Sequence, residues 1–358
     1  MNICKIEITD PAFEQFLALP QRIYRDDPHH RVRPPEETRV LLDTQTNPCW
    51  KHARRALFLL ERDGEAIGRI AAIQDSEIDR QHHKSEGFFG FFECIDDPVA
   101  ARELTDAASR WLVEHGGGAA MRGPCTPLPD FYNFGILVEG FQERQVTGEA
   151  FNPEYYPSLI EGCGFQKEDD HYSFRNELDG NTVFEKMMQR LEHVLEKHGH
   201  GASLRPFDVT NFHRDAAIVC EVINRSFESE SFYSMVDVET QEFMLRNIAP
   251  LDEMHWFRIM EENGRPVGVN LSAPNGDDLL FGETISGIRV ENFGVLPEYQ
   301  RSFAASSLYY DGWNQIRRAG YKNVYISYVH EKNAAMLRMS TSMGCRRTKT
   351  HRIYCKRL

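Results

Sequence analysis

A repeat within the chain constrains its fold more than any other feature of the sequence. The segment ERDGEAIG at residues 61–68 reappears as EENGRPVG at residues 261–268, 200 positions further along the chain. Each copy places an Asp-Gly or Asn-Gly pair between two apolar segments, which is the strongest short signal for a β-hairpin. The sequence therefore predicts two similar hairpins, one in each half.

Four more pairs of segments follow the hairpins in the same order. In each half an apolar strand comes first, followed by a helix that has one apolar face and ends at a glycine. A short strand follows the helix, and an Asn…Gly-Cys segment follows that strand. The matched strands are 87–95 with 288–296 and 119–122 with 324–329, the helices end at Gly116 and Gly320, and the last segments are 152–165 and 333–345. Five elements in register predict a duplicated fold.

The length of 358 residues fits two domains. Between the two halves, Val183, Met187 and Leu191 form an apolar stripe at helical spacing, and glycines follow it. We therefore predict a first domain at residues 1–178, a linking helix at 179–202 and a second domain at 203–358.

The composition excludes several classes of protein. A net charge of −13 disfavours binding to nucleic-acid phosphates. The eight cysteines include no C-x-x-C pair, so no metal site is predicted and the thiols are those of a reducing compartment. No apolar run approaches 18 residues, and the first residues lack the pattern of a signal peptide. We expect a cytoplasmic protein without a membrane span; its oligomeric state is left open.

Motifs in the second half resemble a known family. The segment VLPEYQRSFAASSL at 295–308 resembles the pyrophosphate-binding segment of the GNAT acyltransferases, and LRPFD at 204–208 resembles their first strand. Residues 333–345 resemble their late helix, with Ser340 where the family usually carries Tyr. The whole chain is similar to bacterial tandem GNAT-like proteins with a diverged N-terminal copy. The resemblance implies an α/β fold of two tandem domains, each with a mixed, mostly antiparallel twisted sheet flanked by helices.

The resemblance also implies an enzyme, an N-acyltransferase that moves an acyl group from acyl-CoA or acetyl-CoA to a small or lipidic amine. Backbone N–H groups at the N-terminus of a helix would take the cofactor's phosphates. The residues that match the family's cofactor-binding positions are Phe293, Val295, Gln300, Arg301, Ser302, Phe303, Ala304, Ala305 and Asn333. Phe303 departs from the family pattern, because it replaces a glycine that lets the backbone approach the phosphates.

Three residues are candidates for proton transfer in such a reaction. Glu291, on the strand before the phosphate segment, is the candidate base, and a surface carboxylate is the alternative. Tyr328 and Ser340 are candidate acids that would protonate the departing thiolate. A core aromatic residue and an ordinary helix serine are the respective alternatives.

The first half is expected to bind no CoA. Its turn before the matching helix is about three residues shorter and reads Asp96-Asp97-Pro98, whose acids repel phosphate and are better explained as helix caps. Aromatic residues at 88–92, 131–134 and 155–156 predict either a buried interdomain core or an apolar channel for an acyl chain or lipid tail.

Two other functions stay open at this point. The first is a non-catalytic ligand-binding protein on the GNAT scaffold, which Phe303 and Ser340 favour. The second is long-chain transfer from acyl-carrier protein, whose acidic helix would meet the basic residues 346–357. Those basic residues are otherwise expected to form a terminal strand with solvated charges.

Overall fold

A computed structural model describes residues 1–125, 134–198, 202–228, 233, 235–300 and 302–358, the side chain of Ala304 excepted. Contacts between residues divide the chain into two compact units, residues 1–172 with 348–358, and residues 173–347. The predicted domains follow the sequence repeat instead, and they stay a prediction. The last eleven residues pack with the first unit, although they follow the second in the chain.

The first unit begins with a strand, two helices and a hairpin, and continues with strands and helices in alternation. Its elements are β1 (Asn2–Ile6), α1 (Ala12–Ile23), α2 (Pro35–Leu42), β2 (Ala53–Arg62), β3 (Glu65–Asp75), α3 (Ser76–His82), β4 (Gly87–Cys94), α4 (Pro98–Glu114), β5 (Ala120–Gly123), β6 (Ile136–Glu139), α5 (Tyr156–Gly162) and the part of β7 (Gln166–Glu177) up to Tyr172.

After a long helix, the second unit repeats this order except for β6, since the described residues between its last parallel strand and the helix that follows form no strand. Its elements are the end of β7, α6 (Thr182–His198), β8 (Ser203–Pro206), α7 (Phe212–Phe227), α8 (Val238–Ile248), β9 (Arg258–Glu262), β10 (Arg265–Pro274), α9 (Asp277–Leu280), β11 (Gly287–Val295), α10 (Phe303–Arg318), β12 (Asn323–His330), α11 (Ala334–Ser342) and the first two residues of β13 (Arg346–Arg357). The predicted duplication is confirmed. Helix α6 lies within the predicted linking segment, but its buried side chains are Phe184, Met188 and Leu195, and the predicted apolar stripe is wrong at Val183, which is exposed. The role of this segment as a link between domains stays a prediction. No helix in the described ranges is both long and apolar enough to cross a membrane.

The two predicted hairpins have the same turn. Asp63 and Gly64 have φ values of 54° and 83°, and Asn263 and Gly264 have φ values of 53° and 77°. A two-residue turn with both central residues in the left-handed region matches the right-handed twist of its strands, and it favours Asp or Asn followed by Gly.

Each unit contains a mixed sheet in which antiparallel pairing dominates. In the first, β1, β2, β3 and β4 pair antiparallel in that order, β4 pairs parallel with β5, and β5 pairs antiparallel with β13. In the second, β8 to β11 pair antiparallel in order and β11 pairs parallel with β12. Helices pack against both sheets, α1 and α4 against β3 and α7 and α10 against β10. The predicted fold class is confirmed.

The same close packing of a helix on a strand occurs in both units. A Cβ atom on Gly68 of β3 would lie 2.6 Å from a methyl group of Leu104 on α4. A Cβ atom on Gly268 of β10 would lie 3.2 Å from a methyl group of Leu308 on α10. Both leucines have no exposed surface. The glycines thus let the equivalent helices approach the sheets, and the match of Leu104 with Leu308 agrees with the alignment of the two halves.

The basic C-terminal segment forms the predicted terminal strand, but two of its charges are paired with carboxylates. Lys349 is buried, with its Nζ atom 2.8 Å from Glu149 Oε2. The Nε atom of Arg352 lies 2.8 Å from Oδ1 of Asp170, whose side chain is 8% exposed. The expectation of solvated charges is therefore wrong at Lys349, which is buried against a carboxylate, whereas Arg352 is paired with Asp170 and still 26% exposed.

Candidate functional site

The two central strands of the second unit part where the site is predicted. β11 and β12 pair in parallel from Gly287 with Asn323 to Val290 with Ile326. On its other side, where it pairs with β10, β11 contains a bulge. Asn292 pairs with Leu271 and Val290 pairs with Ser272, so one residue of β11 between them has no partner on β10. The bulged residue is Glu291. A bulge bends its strand and commonly lies beside a functional site, and the pairing with β12 ends at this place.

Glu291 is a buried carboxylate in this opening. Its Oε2 atom lies 2.6 Å from Nη1 of Arg289, and each of the two side chains is 3% exposed. The two residues are two positions apart on the bulged strand. Glu291 was considered either as a base or as a surface glutamate. The surface alternative is wrong, since the carboxylate is withdrawn from solvent and paired with a guanidinium.

Tyr328 follows the last paired residue of β12 by two positions. Its φ is 58°, in the left-handed region that tyrosine rarely adopts. Such strain persists only where the surrounding structure enforces it, and it concentrates at functional sites. Ser340 lies on α11 and has no exposed surface, and its Oγ atom has no hydrogen-bond partner among the described residues.

The predicted phosphate segment leads from the end of β11 into helix α10. Val295 is buried, and its carbonyl accepts a 3.3 Å hydrogen bond from the exposed Gln300. The hydroxyl of Ser302 donates to the carbonyl of Tyr299 at 2.7 Å. Arg301 lies outside the described residues, as does the side chain of Ala304. Ala305, on the first turn of α10, packs against the core of the second unit.

Phe303 turns its ring onto the end of helix α6. The ring is stacked on His198, with centroids 4.7 Å apart and an interplanar angle of 6°. Its exposed fraction is 44%. The benzyl group that replaces the family's glycine is thus held by a partner on another helix.

Asn333 has a structural role in the site. It is the N-cap of α11, and its side chain accepts a 3.1 Å hydrogen bond from the backbone N–H of Met336. Such a cap satisfies an otherwise unpaired donor of the first turn. Its assignment to the cofactor stays a prediction.

A small apolar cavity lies beside the opening, and sequence reasoning did not find it. It has a volume of about 20 Å³, and its lining includes Val290 and Phe293 of β11, Trp313 of α10, Ile326 of β12, and Met336 and Met339 of α11. Asn270 of β10 contributes a polar wall. A Cβ atom added to Gly312 would lie only 2.3 Å from the amide nitrogen of Asn270, so this amide occupies the place that a side chain at that position would take. The six apolar residues come from four elements, and no single periodic pattern joins them.

The same place in the first unit is filled. Tyr156 of α5 is 1% exposed and packs edge-on against Phe92 of β4, with ring centroids 5.3 Å apart. Its hydroxyl donates a hydrogen bond to the Glu93 carboxylate at 2.7 Å and accepts one from the backbone N–H of Cys94 at 3.0 Å. The hydroxyl of Tyr24 lies 3.0 Å from the same Glu93 carboxylate. Of the predicted aromatic cluster, Phe89, Phe92 and Tyr156 belong to a packed core, which agrees with the core alternative. Phe131 and Tyr132 lie outside the described residues.

Burial governs the ionisation of this cluster in the first unit. Burial raises the pKa of Glu93 above its ordinary value, against the opposing effect of Arg69 and of the two tyrosine hydroxyls. Burial, followed by the charge of Glu93, raises the pKa of Tyr156 well above 10. Tyr156 therefore remains a hydrogen-bond donor to Glu93 and packs over β4.

The turn before α4 also differs from its counterpart, as predicted. Asp97 caps α4, accepting hydrogen bonds from the N–H groups of Val99 at 2.9 Å and Ala100 at 3.2 Å. It also pairs with Arg62, which lowers the pKa of Asp97. The N–H groups of Val99 and Ala100 are thus occupied by a carboxylate of the chain itself.

Comparison with solved structures identifies the fold. A tandem GNAT protein from the clavulanic acid biosynthesis pathway matches with a TM-score of 0.61 and 12% identity, over 99% of this chain and 98% of that one. A GCN5-related N-acetyltransferase from Sphaerobacter thermophilus matches with a TM-score of 0.54 and 14% identity, over 99% and 95%. The chain has the tandem GNAT fold.

Two proteins of known sequence match along nearly the whole chain. A bacterial ceramide synthase from Caulobacter vibrioides is 27% identical over 386 aligned positions, which cover 100% of this chain and 98% of the relative. Protein YghO from Escherichia coli is 24% identical over 374 positions, which cover 96% and 92%. No protein-family profile matches the chain.

Proposed function

We propose that the protein is an N-acyltransferase that moves an acyl group from a thioester donor, acyl-CoA, to an amine, and that the donor binds in the second unit. The observation that carries the proposal is the contrast between the two copies of one fold. The second unit has an opening between β11 and β12 with a cavity beside it, whereas Tyr156 fills the equivalent cleft of the first.

We assign each part of the donor to a position in the second unit. The phosphates would lie at the start of α10, where N–H groups and the positive end of the helix dipole face an anion. The thioester would lie in the opening between the two strands, where backbone N–H groups can polarise its carbonyl. The side chain of Phe303 leaves the start of α10 by stacking on His198, which makes its presence compatible with a bound phosphate.

The reaction requires one bond to form and one to break. The amine nitrogen attacks the thioester carbonyl carbon, a C–N bond forms and the C–S bond breaks, so the products are an amide and a thiol. Glu291 would accept the proton that the amine loses. Tyr328, two residues beyond the end of the pairing on the facing strand, or Ser340 on α11 would protonate the thiolate.

The relative named a ceramide synthase supports a lipidic acceptor. Ceramide is an amide of a fatty acid and a long-chain amino alcohol, so its synthesis requires N-acylation of such an amine. The match to this relative extends over the whole chain. We therefore propose a lipidic amine as the acceptor class.

The test is amide formation by the full-length protein, followed by mass spectrometry, with acyl-CoA donors of increasing chain length and a panel of small and long-chain amines. We expect an N-acyl product with at least one long-chain amine. If no donor and amine pair yields an amide, the proposal of acyl transfer is wrong.

The buried Ser340, in the place of the family's tyrosine, favours one alternative, a non-catalytic ligand-binding protein. Titration calorimetry separates the two functions. Tight binding of acyl-CoA without any amide product would support the alternative, whereas binding with turnover would exclude it.

A further inference from the structure

We propose that the apolar cavity of the second unit receives the acyl chain of the donor, and that Met336 and Met339 determine how long that chain can be. This inference rests on the proposed function, because it assumes a thioester in the opening between β11 and β12. It adds a substrate class, an aliphatic acyl chain, and two specificity-determining residues.

The walls of the cavity suit an aliphatic chain. Among the residues that line it there is no charged side chain, and its polar residues are Asn270 and Tyr309 beside the indole of Trp313. An apolar cavity of this kind stays dry and gains from an apolar occupant. Val290 and Ile326 line it and are also the last residues of the parallel pairing. The cavity therefore begins where the proposed thioester would lie, so a chain attached to that carbonyl enters it directly.

One wall is fixed and the opposite wall is adaptable. On the sheet and on α10, Ile326, Trp313 and Ile316 are 5%, 3% and 2% exposed. On α11, Met336 and Met339 are half-buried. Methionine is unbranched and has three rotatable side-chain bonds, so it fills irregular gaps and moves aside at low cost.

The present volume of about 20 Å³ holds little more than one water-sized group, which needs about 10–15 Å³. A long chain must therefore displace the two methionines toward solvent. The size of the space that they can vacate, rather than the empty volume, sets the length of chain that fits.

The first unit shows the effect of rigid residues at the same positions. Gly164 and Gly344 both follow their helices with positive φ, at 89° and 74°. The structure thus matches Gly344 with Gly164, and the sequence match of the two Gly-Cys pairs, Gly162-Cys163 with Gly344-Cys345, is wrong by two residues. Counted back from these glycines, Tyr156 matches Met336 and Leu159 matches Met339. Tyr156 and Leu159 are 1% and 3% exposed and belong to the packed core. The replacement of a tyrosine anchored to Glu93 by a methionine is what leaves a cavity in the second unit.

Binding of CoA, acetyl-CoA, octanoyl-CoA and palmitoyl-CoA to the full-length protein tests the inference, measured by calorimetry below the aggregation concentration of the donors. Each methylene group that enters the cavity should raise the affinity about fourfold until the space is filled. We expect palmitoyl-CoA to bind at least ~100-fold more tightly than CoA. Equal affinities for CoA and palmitoyl-CoA would overturn the inference.

Met336→Tyr reproduces the first unit's residue in the second. It should reduce the affinity for palmitoyl-CoA at least ~10-fold and leave that for CoA unchanged. The matched control is Leu337→Tyr, which adds the same side chain one residue further along α11, outside the cavity lining, and should preserve the chain-length dependence. Equal losses with Met336→Tyr and Leu337→Tyr, or a loss of CoA itself in a folded Met336→Tyr variant, would refute the inference.

Met339→Ala provides a second variant that does not depend on added bulk. It should enlarge the space and shift the tightest-binding donor toward longer chains, and an unchanged chain-length profile would count against the inference. Chain-dependent binding without amide formation would leave the cavity assignment standing and reject acyl transfer. Turnover of acetyl-CoA without chain-dependent binding would support acyl transfer and reject the assignment of the cavity to the acyl chain.

Discussion

Replacement of Glu291 by glutamine tests its two roles, in stability and in catalysis. The carboxylate lies 2.6 Å from Arg289 Nη1, and both side chains are 3% exposed. Removal of one partner from a buried ion pair costs about 3–5 kcal/mol, because the other charge remains in a poorly solvated place. Glutamine keeps one oxygen acceptor, so for Glu291→Gln we expect the low end, about 3 kcal/mol, in urea unfolding. If Glu291 is the base, turnover should also fall by about 10²–10⁴-fold.

A double variant separates these two effects. Arg289→Met with Glu291→Leu removes both charges and keeps apolar volume, so stability should return to within about 1 kcal/mol of the wild type. Turnover should stay as low as in the single variant. Glu93→Gln, at the buried carboxylate of the first unit, is the matched control, and it should reduce stability but not turnover. Recovery of turnover in the double variant would refute the role of Glu291 as base.

Three further predictions concern the helix ends and the linking helix. Asp97→Ala should reduce the free energy of unfolding by about 1 kcal/mol at neutral pH. Because the pKa of Asp97 is lowered in the folded protein, this difference should shrink as the pH falls below about 4. A difference in urea unfolding that does not depend on pH would contradict the prediction. In calorimetry, Phe303→Ala should change the affinity for CoA less than about threefold. Ser302→Asp should abolish CoA binding, because the added carboxylate repels the phosphates. Equal effects of the two substitutions would contradict the placement of the phosphates. A fragment of residues 173–347 should be more soluble than one of residues 203–347, because the shorter fragment lacks α6 and exposes the surface of α10 on which α6 packs. Gel filtration of the two fragments measures the difference.

The features that the sequence predicted correctly depend on neighbours in the chain. The Asp-Gly and Asn-Gly turns predict hairpins because few residues accept the left-handed region at two successive positions. The cap at Asp97 is predictable because a side-chain oxygen reaches N–H groups two and three residues ahead. The repeat converts these local signals into a fold, since the same order of elements occurs twice.

The features that the sequence did not predict depend on distant residues. The bond from Tyr156 to Glu93 joins residues 63 positions apart, and the stack of Phe303 on His198 joins the ends of two helices. Neither pair has a spacing signal. The cavity could have been found only by aligning α5 with α11 from Gly164 and Gly344, the glycines that follow the two helices, which places a methionine where the first copy has a tyrosine.

The basic tail shows why composition alone misleads. Residues 346–357 suggested solvated charges, but Lys349 and Arg352 lie in a strand of the first unit beside Glu149 and Asp170. Their partners are more than 180 positions away in the chain. Charges that are neutralised in this way contribute little to the attraction of an acidic carrier protein.

The placement of the donor in the second unit is the central claim, and a crystal structure with a non-hydrolysable acyl-CoA thioether tests it most directly. We predict the diphosphate at the start of α10 near Ser302, the thioether sulfur between β11 and β12, and the acyl chain between Trp313 and the displaced Met336. A diphosphate bound at residues 95–101 of the first unit, with the cavity of the second unit still empty, would contradict the account.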